Sequence, residues 1–150
     1  MWRRCQTQKL VLCAVVSEAR IPRLQSWEVH VSGLKKLPRV DIIYTHINDD
    51  SVLVNAAVEA GAKGIVYAGS GMGSVHKDAY QGLLDARKKG LIVVRSSRVG
   101  NGMVIDDPSY VAMNFLSGDN LNPQKARILL QLALTKTTNP KEIQRMFAEY

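Results

Sequence analysis

The 150-residue sequence predicts an α/β fold in which a parallel sheet of three to four strands is flanked by about four helices. Two patterns carry this prediction. Short runs of β-branched and other apolar residues alternate along the chain with amphipathic segments of helical length. The runs are continuous in their apolar character, which is typical of parallel strands covered by helices on both faces.

The first half of the chain supplies two strands and the helix between them. Residues 40–47 are rich in β-branched side chains and form the first predicted strand, and residues 48–51 have turn and helix-cap chemistry. A helix ending at Gly61 follows, and we expect its recurrent apolar residues to form the buried face. Residues 64–68 form the second, central strand. The expected buried face of the helix comprises Leu53, Ala56, Ala57 and Ala60.

A glycine-rich turn, from Gly69 to Ser74, follows the central strand. Ser74 is a suitable N-cap for a helix over residues 75–89, because its hydroxyl can accept a hydrogen bond from the first turn. Lys88, Lys89 and Gly90 are a typical helix end. Residues 91–95 form the third strand. The face of the helix that we expect to be buried comprises Val75, Ala79, Leu83 and Ala86.

The last third of the chain contains two more predicted helices. Residues 99–120 are expected to be largely irregular, with a short strand at 112–116. Asn122 and Pro123 open a helix over residues 124–136, and Asn139 with Glu142 forms a capping box before the last helix. The complete pattern predicts a flavodoxin-like sheet. The last helix has one apolar stripe of Ile143, Met146, Phe147 and Tyr150.

Composition excludes several classes of function. The net charge is +7, but residues 1–40 hold eight Lys/Arg against two Asp/Glu, and residues 41–150 are nearly neutral. No basic stripe interleaved with aromatic residues is present, so we expect no nucleic-acid partner. No apolar run approaches the about 18 residues that span a bilayer, so we expect no membrane partner. Neither the cysteines nor the histidines have metal-site spacing, and we expect no metal and no cofactor.

Residues 1–30 do not match the pattern of the other residues and are left unassigned, whereas residues 31–150 are expected to form the α/β domain. Arg3, Arg4 and Lys9 precede a short apolar run at 10–16, which is the outline of a secretory signal. Three interpretations stay open: a signal sequence, a true extension, or an aberrant start before a truncated gene. We favour truncation, with the segment poorly ordered or packed against a sheet edge.

The glycine-rich turn is the candidate binding site, because open α/β sheets place ligands at the carboxyl ends of their strands. Gly69, Gly71 and Gly73 let backbone N–H groups approach another molecule closely, and Gly71, Met72 and Gly73 shape the loop. One alternative is a nucleotide- or phosphate-binding module that uses the turn from Gly69 to Ser74. The sequence of the turn matches most of a dinucleotide fingerprint, but no acidic residue ends the next strand to bind ribose.

Three segments resemble the bacterial type II L-asparaginase family. They are residues 64–74, the run Arg-Ser-Ser-Arg-Val-Gly at 95–100, and the run from Leu121 to Thr135. The likeness extends from about Val31 to Tyr150 and covers only the smaller C-terminal domain of that family. The resemblance therefore implies that this chain is the C-terminal domain of an L-asparaginase.

The resemblance implies hydrolysis of the side-chain amide of L-asparagine, with glutamine as a lesser substrate. It also implies a threonine nucleophile in a Thr-Gly-Gly-Thr-Ile motif, which this sequence does not contain. We therefore assign no catalytic residue here and expect the chain to be inactive alone. In the family's oligomer the C-terminal domain completes a neighbouring subunit's site, so Ser74 would position substrate across an interface between copies.

The resemblance further implies a glutamate that binds the substrate's α-amino group, at a position near Val104. Residues 103–110 contain no glutamate, and Asp106 and Asp107 align better with a structural acidic pair. Members of the family are periplasmic or secreted. A cytoplasmic location is expected instead if residues 1–19 are not a signal.

Overall fold

The computed structural model describes residues 33–100 and 102–149 as an α/β fold with one parallel sheet. The segment 1–30, with its possible signal, and the predicted boundary at Val31 lie outside the described residues. The strands are β1 (Val40–Tyr44), β2 (Gly64–Gly69), β3 (Ile92–Ser97) and β4 (Phe115–Ser117). The helices are α1 (Val52–Glu59), α2 (Lys77–Lys88), α3 (Pro108–Ala112), α4 (Pro123–Lys136) and α5 (Pro140–Glu149).

The four strands pair in chain order, and every pairing is parallel. Val40 of β1 is opposite Gly64 of β2, which in turn is opposite Ile92 of β3. All carboxyl ends of the strands therefore meet at one edge of the sheet, which we call the carboxyl edge. This arrangement confirms the predicted fold class.

Helices cover both faces of the sheet and produce two hydrophobic layers. One layer packs Val40, Val66 and Val94 of the sheet against α4 and α5. The other packs Ile65 and Val93 against α1 and α2. Burial on both faces is the physical reason for the continuous apolar runs in the strands.

Side chains from α4 and α5 form hydrogen bonds with backbone groups at the outer edges of the sheet. On β1, Nε of Arg127 donates a hydrogen bond to the carbonyl of Val40 at 2.8 Å. On β4, the side-chain amide of Gln144 accepts from the backbone N–H of Ser117 at 2.8 Å and donates to its carbonyl at 3.2 Å. These contacts occupy backbone groups that an additional strand would otherwise use.

The first two helices differ in part from the prediction. In α1 the buried residues are Val54 and Ala57, whereas Leu53 is half exposed, so the predicted face is displaced by about one residue. In α2 three of the four predicted residues, Ala79, Leu83 and Ala86, are buried, whereas Val75 lies before the helix and is only partly buried.

The boundaries in the second half also differ. The stretch expected to be irregular contains α3, and β4 begins at Phe115, three residues after the predicted start. The cap of α4 is as expected, with Asn122 Oδ1 accepting from the backbone N–H of Lys125 at 2.9 Å. Asn139 caps α5 by accepting from the N–H of Lys141 at 3.0 Å, but the predicted capping box does not form, because the N–H of Asn139 donates to Thr137 Oγ1 and Glu142 pairs with Arg145.

We predict that Leu130→Ala lowers the free energy of unfolding by about 2–5 kcal/mol, because it empties a fully buried position between α4 and the sheet. Leu53→Ala is the matched control, since its side chain is half exposed on α1, and we expect a loss below about 1 kcal/mol there. Urea denaturation followed by circular dichroism measures both. Equal losses would contradict the described packing.

Candidate functional site

The turn after β2 is closed by its own backbone. The carbonyl of Ser70 accepts hydrogen bonds from the N–H groups of Gly73, at 3.0 Å, and Ser74, at 2.9 Å. A Cβ on Gly69 would lie 2.4 Å from the carbonyl oxygen of Ser74, so only glycine permits the chain to fold back there. Gly71 and Gly73 both have positive φ, at 52° and 80°. The three glycines are therefore explained by the backbone conformation of the turn.

Ser74 is exposed at the end of this turn and does not cap a helix. The helix α2 begins at Lys77, and its N-cap is His76, whose ring nitrogen accepts from the N–H of Asp78 at 3.4 Å. The predicted N-cap role of Ser74 is therefore wrong. The bridge between Ser70 and Ser74 keeps Ser74 within the turn, so the helix begins at Lys77 and not at Val75. Among the described residues, no hydrogen bond uses the Ser74 hydroxyl.

Arg95 lies beneath the turn at the end of β3 and is only 2% exposed. Its Nη1 donates to the carbonyl of Gly73 at 3.4 Å, and its Nη2 donates to the carbonyl of Ile105 at 2.8 Å. The guanidinium also lies 4.0 Å from the ring centre of Tyr110, which is a favourable cation–π distance. Burial lowers the pKa of Arg95, and the nearby Tyr110 and aspartates partly offset this shift.

The three residues after Arg95 each tie a different loop to β3. Ser96 Oγ donates to the carbonyl of Leu121 at 2.8 Å, and Ser97 Oγ donates to the carbonyl of Gly71 at 2.5 Å. Arg98 Nη1 donates to the carbonyl of Thr45 at 2.8 Å. The Arg-Ser-Ser-Arg segment at residues 95–98, which is part of the family resemblance, therefore connects the loops of the carboxyl edge to β3.

Val104 is buried in the position near which the family resemblance implies a glutamate. It is 2% exposed, forms an isolated bridge with Asp119, and its methyl group lies 3.0 Å from where a Cβ of Gly73 would be. The hydroxyl of Ser117 donates to its carbonyl. An apolar side chain that packs against the turn therefore occupies this position.

The two acidic residues after Val104 have different environments. Asp107 caps α3, with its Oδ1 accepting from the backbone N–H of Ser109 at 2.8 Å and from the hydroxyl of Ser109 at 2.5 Å. The hydrogen bonds from Ser109 lower the pKa of the Asp107 carboxyl. Asp106 is exposed, and in the described part of the chain its carboxylate forms no hydrogen bond.

A buried polar pair near the start of α2 was not predicted from the sequence. Tyr67 donates its hydroxyl proton to Oδ2 of Asp49 at 2.5 Å, and its oxygen accepts from the backbone N–H of His76 at 3.2 Å. Asp49 is only 1% exposed. Burial and the hydrogen bond to Asp49 raise the pKa of Tyr67 above its ordinary value of 10.0. Asp49 was interpreted only as a turn residue, because nothing local to it indicates its partner.

The described residues contain neither a candidate metal site nor a candidate membrane span. In residues 33–100 and 102–149, no group of three or more His, Cys, Asp or Glu could hold a metal ion. None of the helices in that part of the chain is long and apolar enough to cross a bilayer.

Comparison with known proteins identifies relatives for most of the chain. Residues 39–147 match the family described as "Glutaminase/Asparaginase C-terminal domain". L-asparaginase 2 of Bacillus subtilis (strain 168) is 57% identical over 120 residues, which cover 80% of this chain and 32% of that protein. L-asparaginase 2 of Escherichia coli (strain K12) is 46% identical over 125 residues, covering 80% of this chain and 35% of that protein. The chain therefore spans about a third of the length of these curated relatives.

A solved structure shares the fold. The crystal structure of a probable cytoplasmic L-asparaginase from Campylobacter jejuni superimposes with a TM-score of 0.80 at 52% sequence identity. The match covers 82% of this chain and 40% of that chain.

The raised pKa of Tyr67 predicts a stability loss in alkali. Above pH 10 the unfolded chain loses the phenol proton while the folded chain retains it, so the free energy of unfolding falls by about 1.4 kcal/mol per pH unit up to the folded pKa. Below pH 10 the stabilisation is fully present. Tyr67→Phe removes this slope, and it also lowers stability at neutral pH by about 1–3 kcal/mol, because Asp49 loses its donor.

Urea denaturation between pH 8 and pH 11 measures the free energy of unfolding of the unmodified chain and of Tyr67→Phe. Tyr44→Phe is the matched control, because Tyr44 is 42% exposed and its hydroxyl accepts a hydrogen bond from the exposed side chain of Gln124. Parallel stability curves for the unmodified chain and Tyr67→Phe would contradict the described pair.

Proposed function

The chain belongs to the glutaminase/asparaginase family as its C-terminal domain, and from this premise we propose that it completes the active site of a neighbouring subunit in an L-asparaginase. The reaction is hydrolysis of the side-chain amide of L-asparagine to L-aspartate and ammonia. The observation that carries the proposal is the exposed hydroxyl of Ser74. Family resemblance implies a substrate contact at this position, and within residues 33–100 and 102–149 the hydroxyl has no hydrogen-bond partner.

The chemical step needs residues that this sequence does not contain. The family resemblance implies a threonine nucleophile in a Thr-Gly-Gly-Thr-Ile motif, and that motif is absent from these 150 residues. The nucleophile, its activating groups and the oxyanion-binding groups must then come from other sequence. The role of this domain is substrate positioning.

Asp106 is the carboxylate that we propose for the substrate's α-ammonium group. Val104 is buried and apolar, so it cannot fulfil the role of the family's glutamate. Asp107 is engaged as the cap of α3. Asp106 is exposed next to these residues, and a carboxylate that accepts hydrogen bonds from an ammonium group forms a strong, charge-assisted contact.

The surface around Ser74 supports a site shared between subunits. Ile47 follows β1 and is 88% exposed, and Met72 follows β2 and is 59% exposed. Val99, Met103 and Ile105, which follow β3, are also at least half exposed. Several exposed apolar side chains on the loops of one sheet edge favour a surface that another protein covers. We propose that the carboxyl edge is covered in a homo-oligomer.

The alternative function, nucleotide or phosphate binding by the turn from Gly69 to Ser74, gains no support. A phosphate-binding turn offers its backbone N–H groups to the ligand at a helix N-terminus. Here the N–H groups of Gly73 and Ser74 are bonded to Ser70, and α2 starts only at Lys77.

We predict that the purified chain releases no ammonia from L-asparagine above background. Co-expression of the full chain with the N-terminal domain of the B. subtilis L-asparaginase 2, as a separate polypeptide, is expected to give a complex that releases ammonia. A coupled ammonia assay with each component alone as control measures both. Robust release by the chain alone would contradict the assignment of no catalytic residue, and an intact but inactive complex would contradict the proposed function.

In the same complex, we predict that Ser74→Ala raises the KM for L-asparagine about tenfold, since it removes one hydrogen bond to substrate. Asp106→Asn is expected to raise KM by about tenfold or more, because the lost contact is charge-assisted. Thr138→Ala is the matched control, because it removes an exposed hydroxyl after α4, at the opposite edge of the sheet. An unchanged KM in either site variant would remove that residue from the proposed site.

A further inference from the structure

Arg95 connects the two groups proposed to bind substrate. Its Nη1 bonds the carbonyl of Gly73, the residue before Ser74, and its Nη2 bonds the carbonyl of Ile105, the residue before Asp106. The guanidinium is planar and its donors diverge at fixed angles, so the two carbonyls are held at a fixed separation. We propose that Arg95 is a positioning residue that sets the distance between Ser74 and Asp106 in the substrate site. This inference rests on the proposed function.

The surroundings of Arg95 fix the guanidinium itself. The ring of Tyr110 lies 4.0 Å from its central carbon, and Tyr110 belongs to α3, which Asp107 caps. Charged Asp106 and Asp107 favour the protonated form of Arg95. The guanidinium cannot move without loss of these contacts, so the position of Asp106 is coupled to that of the turn.

The turn that contacts Arg95 is itself held in place by other residues. Ser97 Oγ donates to the carbonyl of Gly71, and the methyl groups of Val104 leave no space for a side chain at Gly73. The contact of 3.4 Å between Arg95 and Gly73 is long for a hydrogen bond. Close packing on both sides maintains this contact. Displacement of the guanidinium would therefore shift both the turn and the segment from Val104 to Asp107.

Arg95→Lys is the variant that tests the proposal, because lysine keeps the charge and loses the divergent pair of donors. In the complex with the B. subtilis N-terminal domain, we expect KM for L-asparagine to rise about tenfold while kcat changes less, since Arg95 is buried beneath the turn and acts only through Ser74 and Asp106. Arg39→Lys is the matched control, because Arg39 is an exposed arginine that pairs with Asp41 on the surface. An unchanged KM in Arg95→Lys would overturn the proposal.

A double-mutant cycle separates positioning from general destabilisation. If Arg95 acts by positioning Ser74, Ser74→Ala raises KM about tenfold in the unmodified chain and less than about twofold in the Arg95→Lys chain. A full further tenfold rise would show independent effects and overturn the proposal. If Arg95→Lys does not fold, Tyr110→Leu provides the second variant, because it leaves Arg95 present and removes the ring, and it is compared with Tyr110→Phe, which keeps the ring and removes only the hydroxyl that accepts from the N–H of Val75. We expect a KM rise of about threefold there, and no change would overturn the proposal.

Amide NMR spectra of the full chain test the connection without any activity. In Arg95→Lys, we expect the amide signals of both residues 70–74 and residues 104–107 to shift, whereas Arg39→Lys leaves both segments unchanged. A shift confined to one segment would overturn the proposal. If the unmodified complex releases no ammonia, the proposed function fails, and the spectra alone decide whether Arg95 connects the two segments.

Discussion

One buried guanidinium determines the shape of the carboxyl edge. Taking the charge of Arg95 out of water costs several kcal/mol, and only hydrogen bonds and a favourable ring contact can offset that cost. The carbonyls of Gly73 and Ile105 and the ring of Tyr110 provide these contacts, and they belong to three different segments. The nitrogen Nε of Arg95 has no partner among the described groups. The loops are therefore arranged around the charge.

The neighbouring residues of β3 extend the same arrangement along the edge. Ser96, Ser97 and Arg98 each donate a hydrogen bond to a backbone carbonyl of another loop, so with the two bonds of Arg95 four successive side chains make five such bonds. Loops normally vary more than the strands that they connect. Here the carbonyl bonds give the loops after β1 and β2 a defined position relative to β3. A substrate-positioning role requires this rigidity, because a shared site must present its groups at fixed positions.

The glycines of the turn have a structural explanation that does not involve a ligand. Their spacing suggested close approach to a ligand, but Gly69 and Gly73 are required by the turn's contacts with itself and with Val104. The exposed residues of the turn are Ser70, Gly71, Met72 and Ser74. In the proposed site a tightly folded backbone presents the Ser74 hydroxyl, which favours substrate positioning by a hydroxyl over phosphate binding by amides.

The sequence by itself determined the fold class, the strands and most helix faces, because burial on both sides of a parallel sheet produces continuous apolar runs. The N-cap at Asn122 and most of the buried face of α2 were also predicted from the sequence, since both depend on neighbours along the chain. Tertiary structure decided the rest. Whether Ser74 caps a helix depended on the bridge to Ser70, and the pairing of Tyr67 with Asp49 joins residues that no local pattern connects. Arg95 is the clearest case: its contacts lie 10 to 22 residues away along the chain, and only folding brings them to one guanidinium.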